Sequence, residues 1–239
     1  MHKTKRFGYV PDFGDPRDHA FIRAATTSQD SVDLRPRMTP IRDQGQIGSC
    51  TAFALDGAVG FLHGFVGSPL WLYYEERLAE HTTRSDAGAQ IRDGIKVLAS
   101  KGYPPEKEWP YDPLHFAKAP PAAATKDAKL DLITNYQRLG NVIDMRNCLE
   151  QGFPFVVGIS VYEQFESDEA AETGEITMPG KHDSPIGGHA VCVVGFEKDG
   201  RFIVRNSWSD GWGLKGYFHL PHDYLASTDL ASDCWTIRA

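Results

Sequence analysis

Cysteine, histidine and asparagine at Cys50, His189 and Asn206 are the residue types that thiol-dependent acyl transfer needs. A thiolate attacks a carbonyl. An imidazole must manage the proton, and a further group must hold that imidazole through its other nitrogen. The tetrahedral oxyanion needs donors in place before it forms. Each residue sits in a short, distinctive setting: Gln44-Gly45-Gln46-Ile47-Gly48-Ser49-Cys50, Gly187-Gly188-His189-Ala190, and Arg205-Asn206-Ser207-Trp208-Ser209-Asp210-Gly211-Trp212-Gly213. One histidine among nine is more often a core or surface residue, and one Asn-Ser-Trp tripeptide carries little. The three segments together are specific, because each supplies a different part of one site.

The elements around them follow from periodicity. After Cys50 the chain runs Thr-Ala-Phe-Ala-Leu-Asp-Gly-Ala-Val-Gly-Phe-Leu, with apolar Phe53, Ala54, Val59, Phe61 and Leu62 and no proline. This predicts a mostly buried helix with Cys50 in its first turn. Unpaired N–H groups and the helix dipole favour a thiolate there. Helical patterns recur over 69–82 and 90–100, stopped at Gly102, and a proline-rich loop over 103–121 contains Trp109-Pro110-Tyr111. The character changes near Leu132. A short helix over 141–151 stops at Gly152, and β-branched runs predict strands over 155–161, 190–196, 201–205 and 217–220. Lys198-Asp199-Gly200 joins two of them as a hairpin. A helical half therefore precedes a β half.

On these motifs the chain resembles the papain-like cysteine peptidases from about Val32 to Leu220. Gln-Gly-x-x-Gly-Ser-Cys, x-His-Ala-Val and Asn-Ser-Trp-x-x-Gly-Trp-Gly-x-x-Gly-Tyr occur in the family's order, with its approximate separations. The resemblance implies Cys50 as nucleophile, His189 as general acid/base and Asn206 as the group holding the imidazole. It implies Gln44 as an oxyanion donor beside the Cys50 N–H, and Trp208 as cover for the Asn206–His189 bond and part of the leaving-group side. Gly88 and Ala89 would present backbone to an extended peptide. Ile91, Gly187, Gly188 and Ala190 would line the substrate cleft, with an apolar preference in the pocket for the second residue before the cleaved bond. The family usually has a cysteine at the position of Ile47 and a tryptophan at that of Thr51; neither supplies a catalytic atom.

The implied fold is α+β and two-lobed, with the site in the cleft: a helical lobe over about 42–131, a β-barrel-like lobe over about 132–225, and a C-terminal strap over 226–239 returning to the helical lobe. Residues 1–31 are too short for the family's long helical propeptide, and some bacterial relatives have such short leaders. With Phe7, Tyr9, Phe13 and Phe21 among Pro and Gly breaks, this leader reads either as a disordered tail or as a docked arm, and as an arm it is expected to lie across or beside the cleft and restrain access. The activity implied is peptide hydrolysis, as an endopeptidase acting on peptide or protein substrates. An acyltransferase of the same chemistry and an inactive binding module on the same fold are the alternatives. Retention of Gln44, Cys50, His189 and Asn206 together argues against the second.

Composition narrows the remaining classes. The 239 residues, 41% hydrophobic and 24% charged, allow one large domain or two lobes sharing a cleft. A net charge of −7 gives no basic face for nucleic acid or anionic membrane, and no apolar run reaches the roughly 18 residues of a membrane span. The first nine residues start like a signal n-region with no apolar h-region after it, which leaves the cytoplasm as the default compartment, or export by a route the sequence does not show. Four cysteines, Cys50, Cys148, Cys192 and Cys234, are too few for a disulfide-built fold. Gly211–Gly216 matches a dinucleotide-binding pattern but precedes a strand, not a helix. His219 and His222 have no partners spaced to complete a metal site and read as surface residues, and Glu163–Glu172 reads as a solvated acidic loop. No cofactor or metal is expected.

Overall fold

The computed structural model describes residues 6–128 and 133–238. Leader residues 1–5 and the lobe boundary expected at 131/132 lie outside the described residues. Helix α1 (Cys50–His63) is buried from Cys50 to Phe61 and ends where Gly64 takes φ +72°. Its small residues let neighbours approach: a Cβ on Gly57 would lie 3.1 Å from the Arg205 side chain, and one on Gly60 would lie 2.8 Å from Thr39. Helix α2 (Pro69–Ala79) starts with Pro69 in its first turn and with Ser68 Oγ accepting from the Trp71 N–H. Helix α3 (Ile91–Lys101) is closed by Gly102 at φ +83°. These three pack on one another as the helical half, followed by the short helix α4 (Ala122–Asp127).

The β half is an antiparallel sheet of β1 (Val32–Asp33), β2 (Asn135–Arg138), β3 (Phe155–Val161), β4 (Gly187–Phe196), β5 (Phe202–Arg205), β6 (Tyr217–Leu220) and β7 (Ala231–Arg238). The order is β2-β7-β3-β4-β5-β6, with β1 paired to β4. Strands β3 and β4 read as apolar runs because both faces are covered, α1 and α5 (Val142–Glu150) among the covering elements. Short helices α6 (Asp168–Thr173) and α7 (His222–Ala226) sit in the later connections. The architecture is α+β, as the motifs imply.

The C-terminal stretch, expected to return to the helical lobe, forms β7 inside the sheet between β2 and β3 and touches α1 and α3 from there. Its alternation is broken by a bulge, since Trp235 pairs with Val156 while Ser232 pairs with Gly158, and Asp233 adopts φ +53°. An inserted residue interrupts the period-two signal by which a strand is recognised. His219 is not a surface residue: it is buried on β6, with Nδ1 2.7 Å from Glu175 Oε1.

Candidate active site

Cys50 opens α1, so its position depends on the loop before it. Gly45 supplies a left-handed turn at φ +65°. The Gly48 N–H donates to Asp86 Oδ1 at 2.9 Å. Tyr111, from the Trp109-Pro110-Tyr111 loop, braces the segment from the other side, its hydroxyl donating to the Gln44 carbonyl at 2.7 Å and lying 2.8 Å from Ser49 Oγ. The Gln44 N–H is tied to the Ser207 carbonyl at 2.9 Å, which joins this loop to the segment carrying Asn206.

His189 lies on β4 opposite Ile159 of β3. The next residue, Ala190, points its N–H at Cys50 Sγ, 3.4 Å away, so strand and helix meet at the sulfur. His189 Nε2 is 2.9 Å from Asn206 Oδ1. That oxygen also accepts from the Ser207 N–H at 2.8 Å, which identifies it as the acceptor and makes Nε2 the protonated ring nitrogen. Trp208 stacks on the imidazole, with centroids 4.9 Å apart and planes 23° apart, and Trp212 then Phe218 back it edge-on. Gln44 is fully buried, its Oε1 accepting from Ser207 Oγ at 2.7 Å.

The sulfur departs from the expectation of a thiolate. Burial pushes the Cys50 thiol up to about 11. The N–H groups of Ala190, Gly8 and Thr51 pull the other way, and the buried carboxyl of Glu76 adds to the rise. Gly8 belongs to the leader, and the leader covers the site. The Gln44 amide donates to the Arg6 carbonyl at 3.2 Å. The Phe7 ring lies 6.2 Å from both the His189 and Trp208 rings and packs on Gly187. Gly8 passes so close to the loop that a Cβ there would fall 1.9 Å from the Gly48 carbonyl oxygen.

Beyond Gly8 the leader is held by backbone on both sides. Ala89 donates to the Gly8 carbonyl at 2.8 Å and accepts from the Val10 N–H at 3.0 Å, while the Tyr9 N–H donates to the Gly188 carbonyl at 3.1 Å. Gly88, at φ +75°, admits the Gly8 carbonyl where a Cβ would stand 2.1 Å from it. Gly88, Ala89, Gly187, Gly188 and Ala190 thus come together along one groove, while Ile91 is buried at the first turn of α3.

The sequence reading missed several residues of this groove. Gly158 leaves room for the Tyr9 ring, since a Cβ there would lie 2.0 Å from Tyr9 Cζ. Asp233 accepts from the Tyr9 hydroxyl at 2.5 Å and Ser232 Oγ lies 2.6 Å from it, which puts a polar end on a pocket expected to be apolar. Farther along, Arg92 pairs with Asp12, Asp15 and Asp18, and Arg138 with Asp12, Asp18 and Asp233. The acid-rich run 12–18 was the local signal in the sequence. Glu163 and Glu166, expected to be merely solvated, line an open cavity of about 650 Å³ beside Arg6 and Phe7.

A family model described as papain family cysteine protease matches residues 28–236. An uncharacterised peptidase C1-like protein of Acanthamoeba polyphaga mimivirus is 43% identical over 271 residues, covering 98% of this chain and 87% of that protein. Among solved structures, Xylellain, a cysteine protease from Xylella fastidiosa, superposes with a TM-score of 0.90 at 39% identity, covering 100% of this chain and 99% of that one. Procathepsin L 3 of the Tenebrio molitor larval midgut superposes at 0.71 with 19% identity, over 93% of this chain and 74% of that one, a likeness of fold.

Proposed function

The chain belongs to the papain family of cysteine proteases, and from that premise we propose that it is an endopeptidase working through a Cys50 thioester, restrained by its own leader. The observation that carries the chemistry is the meeting of Cys50 Sγ with β4 at Ala190, one residue after a histidine whose Nε2 is bound by Asn206. With Nε2 engaged, Nδ1 is the nitrogen that exchanges a proton with the thiol. The Cys50 thiolate adds to the scissile carbonyl, and the resulting oxyanion is met by the Gln44 amide and the Cys50 N–H. His189, now cationic, gives its proton to the departing amine, and the carbonyl re-forms as a thioester. His189 then takes a proton from water as the water attacks, releasing the acid and restoring the thiol.

Endopeptidase action is supported by the course of the leader. It runs from Gln44 past the sulfur to Arg92 and Arg138, so the groove accepts a polypeptide that continues in both directions. Restraint by the leader is supported by what it occupies: the Gln44 amide, the face of the His189–Trp208 pair and the space above the thiol. The test is cleavage of internally quenched peptides by the full chain, with Cys50→Ala as blank. Internal cuts absent from the blank are expected. No cleavage, with a thiol that alkylates no faster than free cysteine once the leader is loosened, would overturn the reading, and transfer to an added amine in preference to water would make it an acyltransferase.

A further inference from the structure

The pocket filled by Tyr9 is built around a carboxylate. Strand β7 carries one residue more than β3 between the Val156–Trp235 and Gly158–Ser232 pairs, and within that bulge Asp233 holds φ +53°, a conformation an L-residue with a side chain rarely takes. Strain of this kind persists only where the surroundings enforce it. Here the kink aims the buried Asp233 side chain at the leader. Its Oδ2 accepts from the Tyr9 hydroxyl at 2.5 Å and from the Asp12 N–H at 2.8 Å, and its Oδ1 accepts from Arg138 at 3.1 Å. Ser232 Oγ lies 2.6 Å from the same hydroxyl. The wall beside the ring is Gly158, with no side chain, and the rim is Gly188, whose carbonyl holds the Tyr9 N–H.

We propose that Asp233 determines specificity in this enzyme by selecting substrates that place a tyrosine in the pocket Tyr9 fills. The inference rests on the peptidase reading and adds a substrate class to it. When the leader leaves, Oδ2 loses two donors at once, and water must stand in for them until another donor enters. A phenol entering the pocket restores one. Phenylalanine fills the same volume and restores none, and a site built to bond a hydroxyl discriminates strongly against the analogue without it. A cationic side chain is the other donor-bearing candidate, and the charges disfavour it. Departure of the leader removes Asp12, Asp15 and Asp18 from Arg92 and Arg138, so Asp233 is left in a site where two guanidinium groups have lost carboxylate partners. A third cation meets repulsion there, and a neutral phenol does not.

The experiment compares kcat/KM of the full chain on internally quenched peptides that differ at one position only, carrying Tyr, Phe, Arg or Leu there, with that position scanned along the peptide. At one position Tyr should exceed Phe by about ten-fold or more, and should also exceed Arg and Leu. In Asp233→Gly, which suits the left-handed backbone and removes the carboxylate, the Tyr/Phe ratio should fall toward one, with Asp233→Asn between. A second readout uses the leader itself. Tyr9→Phe should speed alkylation of Cys50 by iodoacetamide in the full chain, and should have no such effect in the Asp233→Gly background. An unchanged Tyr/Phe ratio in Asp233→Gly, or a preference for Arg that Asp233→Gly abolishes, overturns the proposal. If no peptide is cut even once the leader is loosened, the peptidase reading fails, and the alkylation pair alone decides whether Asp233 selects a phenol.

Discussion

The side-chain amide of Gln44 donates to the main-chain carbonyl of Arg6, 3.2 Å away, beside the sulfur of Cys50. A carbonyl oxygen from the protein's own leader therefore sits on the donor that the proposed reaction assigns to the oxyanion. The rest of the Gln44 side chain is fixed by Ser207 Oγ and by the Ile47 carbonyl, so the donor is preorganised.

Removing that donor should lower turnover far more than binding. Gln44→Ala is expected to reduce kcat by about a hundred- to a thousand-fold, or about 3–4 kcal/mol of transition-state stabilisation, with KM little changed. Gln44→Glu keeps an acceptor for Ser207 and loses the amide donor, so it should fall as far. Steady-state kinetics on one peptide, alongside circular dichroism of both variants, checks this. A fall in KM-dependent binding alone would argue for a structural role instead.

Thiol reactivity should report the state of the leader. With Gly8 over the sulfur, burial holds the Cys50 thiol at about 11, so the docked chain carries a neutral thiol near pH 7. The docked pKa is raised above that of the released site, so docking is fully supported only below the released-site value and weakens as pH rises from there toward about 11. Carboxymethylation of the full chain should stay slow up to about pH 8.5 and climb steeply above it. A variant with a loosened leader should alkylate readily at pH 6–7, where an imidazolium partner can support the thiolate. Rates measured against pH by mass spectrometry of the peptide containing Cys50 would decide it, and identical profiles in both proteins would refute the link.

The parts of the site that were legible in the sequence are those whose chemistry is local. Cys50, His189, Asn206 and Gln44 each stand in a short run of small or aromatic residues that the backbone geometry requires, and the helix after Cys50 announces itself through uniform small and apolar residues. The pocket was not legible, because β3, β4 and β7 assemble it from distant stretches through strand order. Gly158 looked like any glycine in an apolar run, and Asp233 sits in a bulge that hides its own strand. The pairing of Asp12 and Asp18 with Arg92 and Arg138 depends on the docked path of the leader, which no local periodicity encodes.

Arg138 should act as a latch on that path. Its guanidinium reaches Asp12 at 2.6 Å, Asp18 at 3.0 Å and Asp233 at 3.1 Å, and lies 4.6 Å from the centroid of the Trp235 ring. Arg138→Met keeps part of the apolar stem and leaves three carboxylates short of a partner. Breaking a fully buried pair costs about 3–5 kcal/mol, and Arg138 is a quarter exposed, so the loss here should be smaller. The leader should detach more often. Hydrogen exchange at the Tyr9 and Val10 amides should accelerate, since their acceptors are Gly188 and Ala89, while amides in β3 and β4 stay protected. Equal acceleration throughout the sheet would mean general destabilisation and not release of the leader.

Gly158→Ala should separate the two uses of the groove. A Cβ at this position would lie 2.0 Å from Tyr9 Cζ and 2.3–2.4 Å from the neighbouring ring carbons, too close for the ring to remain where it is. Overpacking of this kind typically costs about 1–3 kcal/mol, and the strain falls on the docked leader because the rest of β3 keeps its pairing with β4. Cys50 should therefore alkylate several-fold faster as the leader gives way. The same methyl narrows the pocket for an incoming aromatic side chain, so cleavage of peptides bearing Tyr or Phe there should fall, while peptides with Ala at that position should be cut faster than by the unmodified chain. Opposite signs for alkylation and for aromatic-peptide turnover are the expected signature. If both rise together, the Tyr9 pocket takes no part in holding substrate.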